Sequence, residues 1–170
     1  METGQSAVPP YQVEPQTDPN DPSHPGHSEY LISTGGFRAE RVEFSDMPEI
    51  TKSDLLAICQ SHYRERCGLI TTDWEIVGVE NVHQNPEFNF YMDHDDFNQS
   101  LEYIFQETNR DVLGIWHTHP NNWPWPTPRD ICGWPDLDVV NWRYFVITSS
   151  NVTEWRKVLA PEPPDLLGNQ

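Results

Sequence analysis

A central mixed β-sheet flanked by helices, of the α/β or α+β class, is predicted by three observations. The hydrophobic period changes several times between the two polar ends of the chain. Apolar, β-branched runs such as VLGIWHTH alternate with segments of helical spacing. The length, 170 residues, suffices for one core of ordinary size and is short for two. The pattern alone leaves α/β and α+β unseparated.

FRAERVEF alternates in polarity and predicts a strand. In TKSDLLAICQSHYRER, Leu55, Leu56, Cys59 and His62 recur at helical spacing, which predicts a helix capped by Thr51 or Ser53 and ending near Arg66. CGLITT and WEIVGVENV read as two strands joined by a tight turn near Asp73, and EFNFYM as a third. Asp93 is placed to cap HDDFNQSLEYIFQETN, where Phe97, Leu101, Ile104 and Phe105 line one helical face behind an acidic first turn. VLGIWHTH then predicts a buried strand, TPRD a short helix, and WRYFVITSS with VTEWRKVL two last strands. The expected order is β-α-β-β-β-α-β, a loop, the short helix, then β-β.

The domain boundaries follow from composition. Residues 1–30 are rich in Pro, Gln, Asp, Ser and Gly, and the first basic residue is Arg38. Such a stretch buries too little apolar surface to offset its ordering entropy and predicts a flexible acidic arm. Residues 31–160 form the expected folded domain, and residues 161–170 a loose tail. No internal repeat is visible.

A net charge of −17 and a pI near 4.5 exclude a nucleic-acid backbone or an anionic membrane as the expected partner, because neither is attracted to an acidic surface. The three cysteines, Cys59, Cys67 and Cys132, fit neither a zinc knuckle nor a disulfide framework and point to a reducing compartment. With no secretory leader pattern and no apolar run of about 18 residues, a soluble cytoplasmic protein is expected.

The chemistry concentrates in GIWHTHPNNWPWPTPRD, residues 114–130. Side chains at i and i+2 of a strand share a face, so His117 and His119 can lean toward one ion while Thr118 points away. Pro120 stops the strand. Thr127 suits an N-cap, Pro128 the first helical position, and Asp130 the third, in a reciprocal capping pattern with Asp in place of Glu. The loop therefore returns a carboxylate to the histidines. Two histidines and one aspartate leave the fourth vertex of a tetrahedral zinc site open, as a catalytic site requires. An isolated His-x-His pair is more often a pair of ordinary surface histidines, and a capping Asp is usually only a cap; their conjunction at this spacing is far more demanding.

His-Thr-His-Pro, six residues, then Thr-Pro-Arg-Asp resembles the signature of the JAMM (MPN-plus) metallopeptidases, His-[Ser/Thr]-His-Pro, six residues, Ser-x-x-Asp. Their upstream glutamate, in the context Glu-x-Cys-Gly-Leu, is matched by Glu65 in Arg64-Glu65-Arg66-Cys67-Gly68-Leu69. The resemblance runs from about Phe37 to Val158 and is specific, with departures at Thr127 for Ser, at Gly133 and Pro135 where the family has a longer helix, and in the aromatic NNWPWP. It implies a JAMM/MPN (cytidine-deaminase-like) fold of compact prokaryotic or phage type. It further implies one Zn(2+) held by His117, His119 and Asp130, with Glu65 as general base and then acid. The expected activity is hydrolysis of the amide bond after the C-terminal tail of a ubiquitin-like modifier, in precursor processing, deconjugation or a bacterial defence pathway. The alternatives are a phage tail-assembly or sulfur-carrier processing peptidase, and a non-catalytic MPN-type scaffold.

Thr127 is expected to cap its helix, to hydrogen-bond a developing oxyanion, or to do both. Trp116 reads as core, whereas Trp123 and Trp125 read equally as core or as a wall of the substrate groove. Cys67 reads as a buried small hydrophobe and not as a nucleophile. Cys132 as a fourth ligand would close the site. His62, His83 and His94 carry no partner pattern and are expected at the surface, and His24 and His27 in the arm.

Overall fold

The computed structural model describes residues 37–87, 89–135 and 140–159. The predicted arm, its His24 and His27, and the predicted tail lie outside them. Among the described residues nine elements follow one another: β1 (Phe37–Val42), α1 (Glu49–Ser61), β2 (Cys67–Thr71), β3 (Ile76–Val79), α2 (His94–Phe105), β4 (Val112–Thr118), α3 (Pro128–Gly133), β5 (Arg143–Ile147) and β6 (Val152–Leu159). The strands form one sheet in the order β1-β6-β5-β4-β2-β3, in which only the β4–β5 pair is parallel. The sheet is mixed, as predicted, and its pairing supplies what the hydrophobic pattern left open.

Alternation along the strands sends side chains to two faces. On one, Leu55 and Cys59 of α1 pack against Ile70, Trp116, Phe145 and Ile147. On the other, Ile104 of α2 and Ile131 of α3 pack against Leu69, Val79, Ile115, Tyr144, Val146 and Trp155. Because Ile115 belongs to the second face, His117 follows it there, toward α2 and α3. Thr118 turns to the α1 side, where its hydroxyl accepts a hydrogen bond from Arg66 N at 2.8 Å.

Two expectations are corrected. The helix predicted to run to Arg66 ends at Ser61, and Pro48, not Thr51 or Ser53, stands at its N-cap. Ser61 Oγ donates to Ala57 O, the His62 ring bonds Ile58 O, and His62 is extended with φ −137°, so the chain leaves the helix there. Residues 62–66 then run toward the sheet and carry Glu65 with them. Of EFNFYM, the described residues, Glu87 and 89–92, are not a strand. Beyond one bridge between Asn81 and Met92, no ladder forms there among the described residues. Asn89 is buried there, and the Phe90 ring stacks on His117 with centroids 4.6 Å apart. The α2 prediction holds for the helix and its cap, with Asp93 accepting from Asp96 N, but the helix ends at Phe105, and Phe105, placed on the apolar face, is exposed.

Candidate metal centre

His117 lies in the last turn of pleat of β4, and His119 one residue beyond the strand, both 1% exposed. Their Nε2 atoms are 3.0 Å apart. Asp130 Oδ2 stands 3.1 Å from His117 Nε2 and 3.3 Å from His119 Nε2. Donors about 2.0–2.1 Å from a tetrahedral ion are separated by about 3.3–3.4 Å. The three atoms thus fit one face of such a tetrahedron with little adjustment. His119 Nδ1 donates to Trp123 O at 2.6 Å, which assigns the proton to Nδ1 and leaves Nε2 as the free lone pair.

The carboxylate is delivered as the sequence predicts. Thr127 Oγ1 accepts from Asp130 N at 3.1 Å, and Thr127 N donates to Asp130 Oδ2 at 2.9 Å, closing the reciprocal capping box of α3. The same Asp130 oxygen therefore faces a backbone N–H and both imidazoles. Pro128 at the first helical position fixes the entry, and α3 is short, ending at Gly133 with Trp134 extended.

Glu65 completes the group. It is 2% exposed, its carboxylate lies with the two histidine nitrogens within a 4.8 Å span, and its Oε1 has no hydrogen-bond partner. A buried carboxylate oxygen without a partner is costly and calls for a ligand or a chemical role. Burial raises the Glu65 carboxyl well above its ordinary range; His119 opposes this and Asp130 reinforces it. His117 is lowered by burial, against the pull of Asp130. Burial also acts to lower His119, but the hydrogen bond to Asp130 and the charges of Glu65 and Asp130 outweigh it and raise it to about 9. Asp130, despite burial, is held below the usual carboxylate range by the two histidines.

A metal ion and the His119 proton compete for one site. Divalent-ion affinity should therefore rise about tenfold per pH unit below a pH of about 9 and level off above it. Competitive chelator titrations from pH 6.5 to 8 check this, and a flat profile would show that His119 is not raised.

The remaining candidates fall outside the cluster. Trp123 and Trp125, read equally as groove wall or core, are 4% and 5% exposed and belong to the core, with Trp125 packed on Trp155 at 5.1 Å between ring centroids. The Pro-rich loop needs these anchors because it has no regular backbone ladder of its own. Trp116 is core, its indole donating to Leu69 O. Cys67 and Cys59 are buried, and burial together with the Glu65 charge pushes their thiols up to about 12 and about 11, so neither supplies a thiolate at neutral pH. Cys132 is exposed and is not part of the buried metal-capable group. His62 and His94 are exposed, and His83 is half-buried. The sequence reading missed Thr118 and Phe90, which hold the Arg66 backbone and cover His117. Thr118 was placed only by elimination, pointing away from the ion, and Phe90 was spent on a strand.

Fold and site together define a mixed α/β domain with a two-histidine, carboxylate-rich cluster, able to hold a metal, buried at the end of a central strand. A family model described as prokaryotic homologs of the JAB domain matches residues 52–159, and the chain belongs to that family. The family includes hydrolases, and its members often use zinc. No curated protein matches. Among solved structures, the chain is similar to protein DSY2949 from Desulfitobacterium hafniense, at 20% identity and a TM-score of 0.49 over 65% of this chain and 80% of that one. Among the described residues, no helix is long and apolar enough to cross a membrane.

Proposed function

We propose that this chain is a zinc-dependent peptidase that hydrolyses the peptide or isopeptide bond following the C-terminal tail of a ubiquitin-like modifier in the cytoplasm. The observation that supports it is the unpartnered, buried Oε1 of Glu65 beside three converging donor atoms. A scaffold has no use for a carboxylate oxygen kept from both water and hydrogen bonds.

His117 Nε2, His119 Nε2 and Asp130 Oδ2 would hold the one ion. When bound, zinc acidifies water and polarises a carbonyl, so that hydrolysis proceeds at neutral pH. Glu65 accepts the proton of the attacking water at its carboxylate and returns it to the leaving amine. The dry surroundings that raise the Glu65 carboxyl make it basic enough for the first transfer and acidic enough, once protonated, for the second. Thr127 caps α3 through its oxygen, which leaves its hydroxyl hydrogen to bond the oxyanion that develops on the substrate carbonyl. Thr118 and the Trp123 carbonyl orient rather than react.

Fusions of ubiquitin-like, sulfur-carrier and phage tail proteins, incubated with the zinc-loaded chain and read by mass spectrometry, test the proposal. Chelator-sensitive cleavage after a ubiquitin-like tail is expected. Cleavage of only the other fusions transfers the activity to that substrate class, and a zinc-loaded chain inert toward all of them favours the scaffold.

A further inference from the structure

The Glu65 side chain has no hydrogen bond at Oε1, so its position is set through its backbone. Four contacts hold that backbone. Glu65 N donates to Pro86 O at 2.6 Å, Arg66 N donates to Thr118 Oγ1 at 2.8 Å, and Thr118 N donates to Arg66 O at 2.9 Å. The fourth is Asn81, whose Nδ2 donates to Glu65 O at 2.8 Å and to Asn89 O at 3.0 Å. The other end of the same amide accepts from His83 N and from Tyr91 N, each at 3.0 Å. Two carbonyls on one side and two N–H groups on the other allow only one orientation of the amide, and every bond drawn is of the correct polarity.

Asn81 thus ties the Glu65 segment to both arms of the connection between β3 and α2. That connection touches the rest of the site: the Phe90 ring lies on His117, and Asn89 Oδ1 accepts from Arg129, the neighbour of Asp130, at 2.9 Å. We infer that Asn81 is the positioning residue of the general base, its side-chain amide fixing the Glu65 backbone relative to the ion ligands. The inference rests on the reading of Glu65 as the base. Asn81 touches none of His117, His119 or Asp130 in any hydrogen bond above, so its loss misplaces the proton acceptor and leaves the ligands in place.

Asn81→Asp tests this most narrowly. It keeps an acceptor for His83 N and Tyr91 N and removes both donors, turning a carboxylate oxygen toward two carbonyls. Asn81→Ala removes all four bonds. In each, amide hydrogen exchange at Glu65 should accelerate in the protein without added metal, while amides of β4 and β5 keep their protection. With zinc, kcat should fall about 10- to 100-fold, with KM and zinc affinity within about twofold of wild type. If Asn81→Ala loosens the whole sheet, Asn81→Asp must still show the kcat loss. Wild-type kcat in Asn81→Asp, or a loss carried wholly by KM or by zinc affinity, overturns the inference, as does unchanged exchange at Glu65. A wild-type chain with no hydrolytic activity would remove the peptidase reading instead, and the exchange measurement would still decide whether Asn81 holds Glu65.

Discussion

Glu65→Gln is expected to leave a folded, zinc-binding protein whose kcat is lower by about 10² to 10⁴. The substitution is nearly isosteric, and the segment that carries residue 65 is held by backbone bonds to Pro86 and Thr118 and by the Asn81 amide, none of which involves the carboxylate. The Gln amide cannot accept the water proton, and no other described group can substitute. Cys67, two residues on, has a thiol pushed up to about 12, and Asp130 already faces two imidazoles and a backbone N–H. Because burial makes the charged form of Glu65 unfavourable, the metal-free Gln variant should be no less stable than wild type in thermal denaturation. Undiminished kcat in this variant would remove the mechanism.

The second large effect is expected from His119→Ala. Zinc binding energies of about 10–16 kcal/mol over four ligands correspond to roughly 3 kcal/mol per ligand, so affinity should fall roughly 100-fold or more, with activity following occupancy. Inductively coupled plasma analysis of dialysed protein reads this directly. Neither core cluster includes His119, so the far-ultraviolet circular dichroism should not change. Asp130→Ala loses the ion as well, but it also breaks the α3 capping box. The metal-free protein then loses a further 0.5–2 kcal/mol or so, visible as a lower denaturation midpoint. An Asp130→Ala protein with wild-type zinc content would show that the carboxylate is a cap and not a ligand.

Much of this was legible in the residues. The capping box is local: Thr127 and Asp130 are three positions apart, and the bonds between them are fixed by helical geometry wherever the helix sits. The same holds for Asp93 over α2 and for the alternation that puts His117 and Thr118 on opposite faces of β4. The strand pattern misled at EFNFYM because period-2 alternation records only that alternate side chains find apolar surroundings. For Phe90 those surroundings are an imidazole ring and not a sheet face. The helix limit at Ser61 was missed because the helical spacing of Leu55, Leu56, Cys59 and His62 carries past it, whereas residues 65 and 66 beyond the extended His62 bond to Pro86 and Thr118.

The sequence by itself determined the donor set and the local devices that aim it, since each works over two to four residues of regular backbone. Tertiary structure alone decided the convergence. Glu65 is more than 50 residues from His117, and it reaches the histidines only because β2 lies antiparallel to β4 with Cys67 opposite His117. Tertiary structure also decided which tryptophans are buried and what holds residue 65 in place. Those outcomes depend on which strands become neighbours, a balance of packing over the whole sheet that no short window of residues contains.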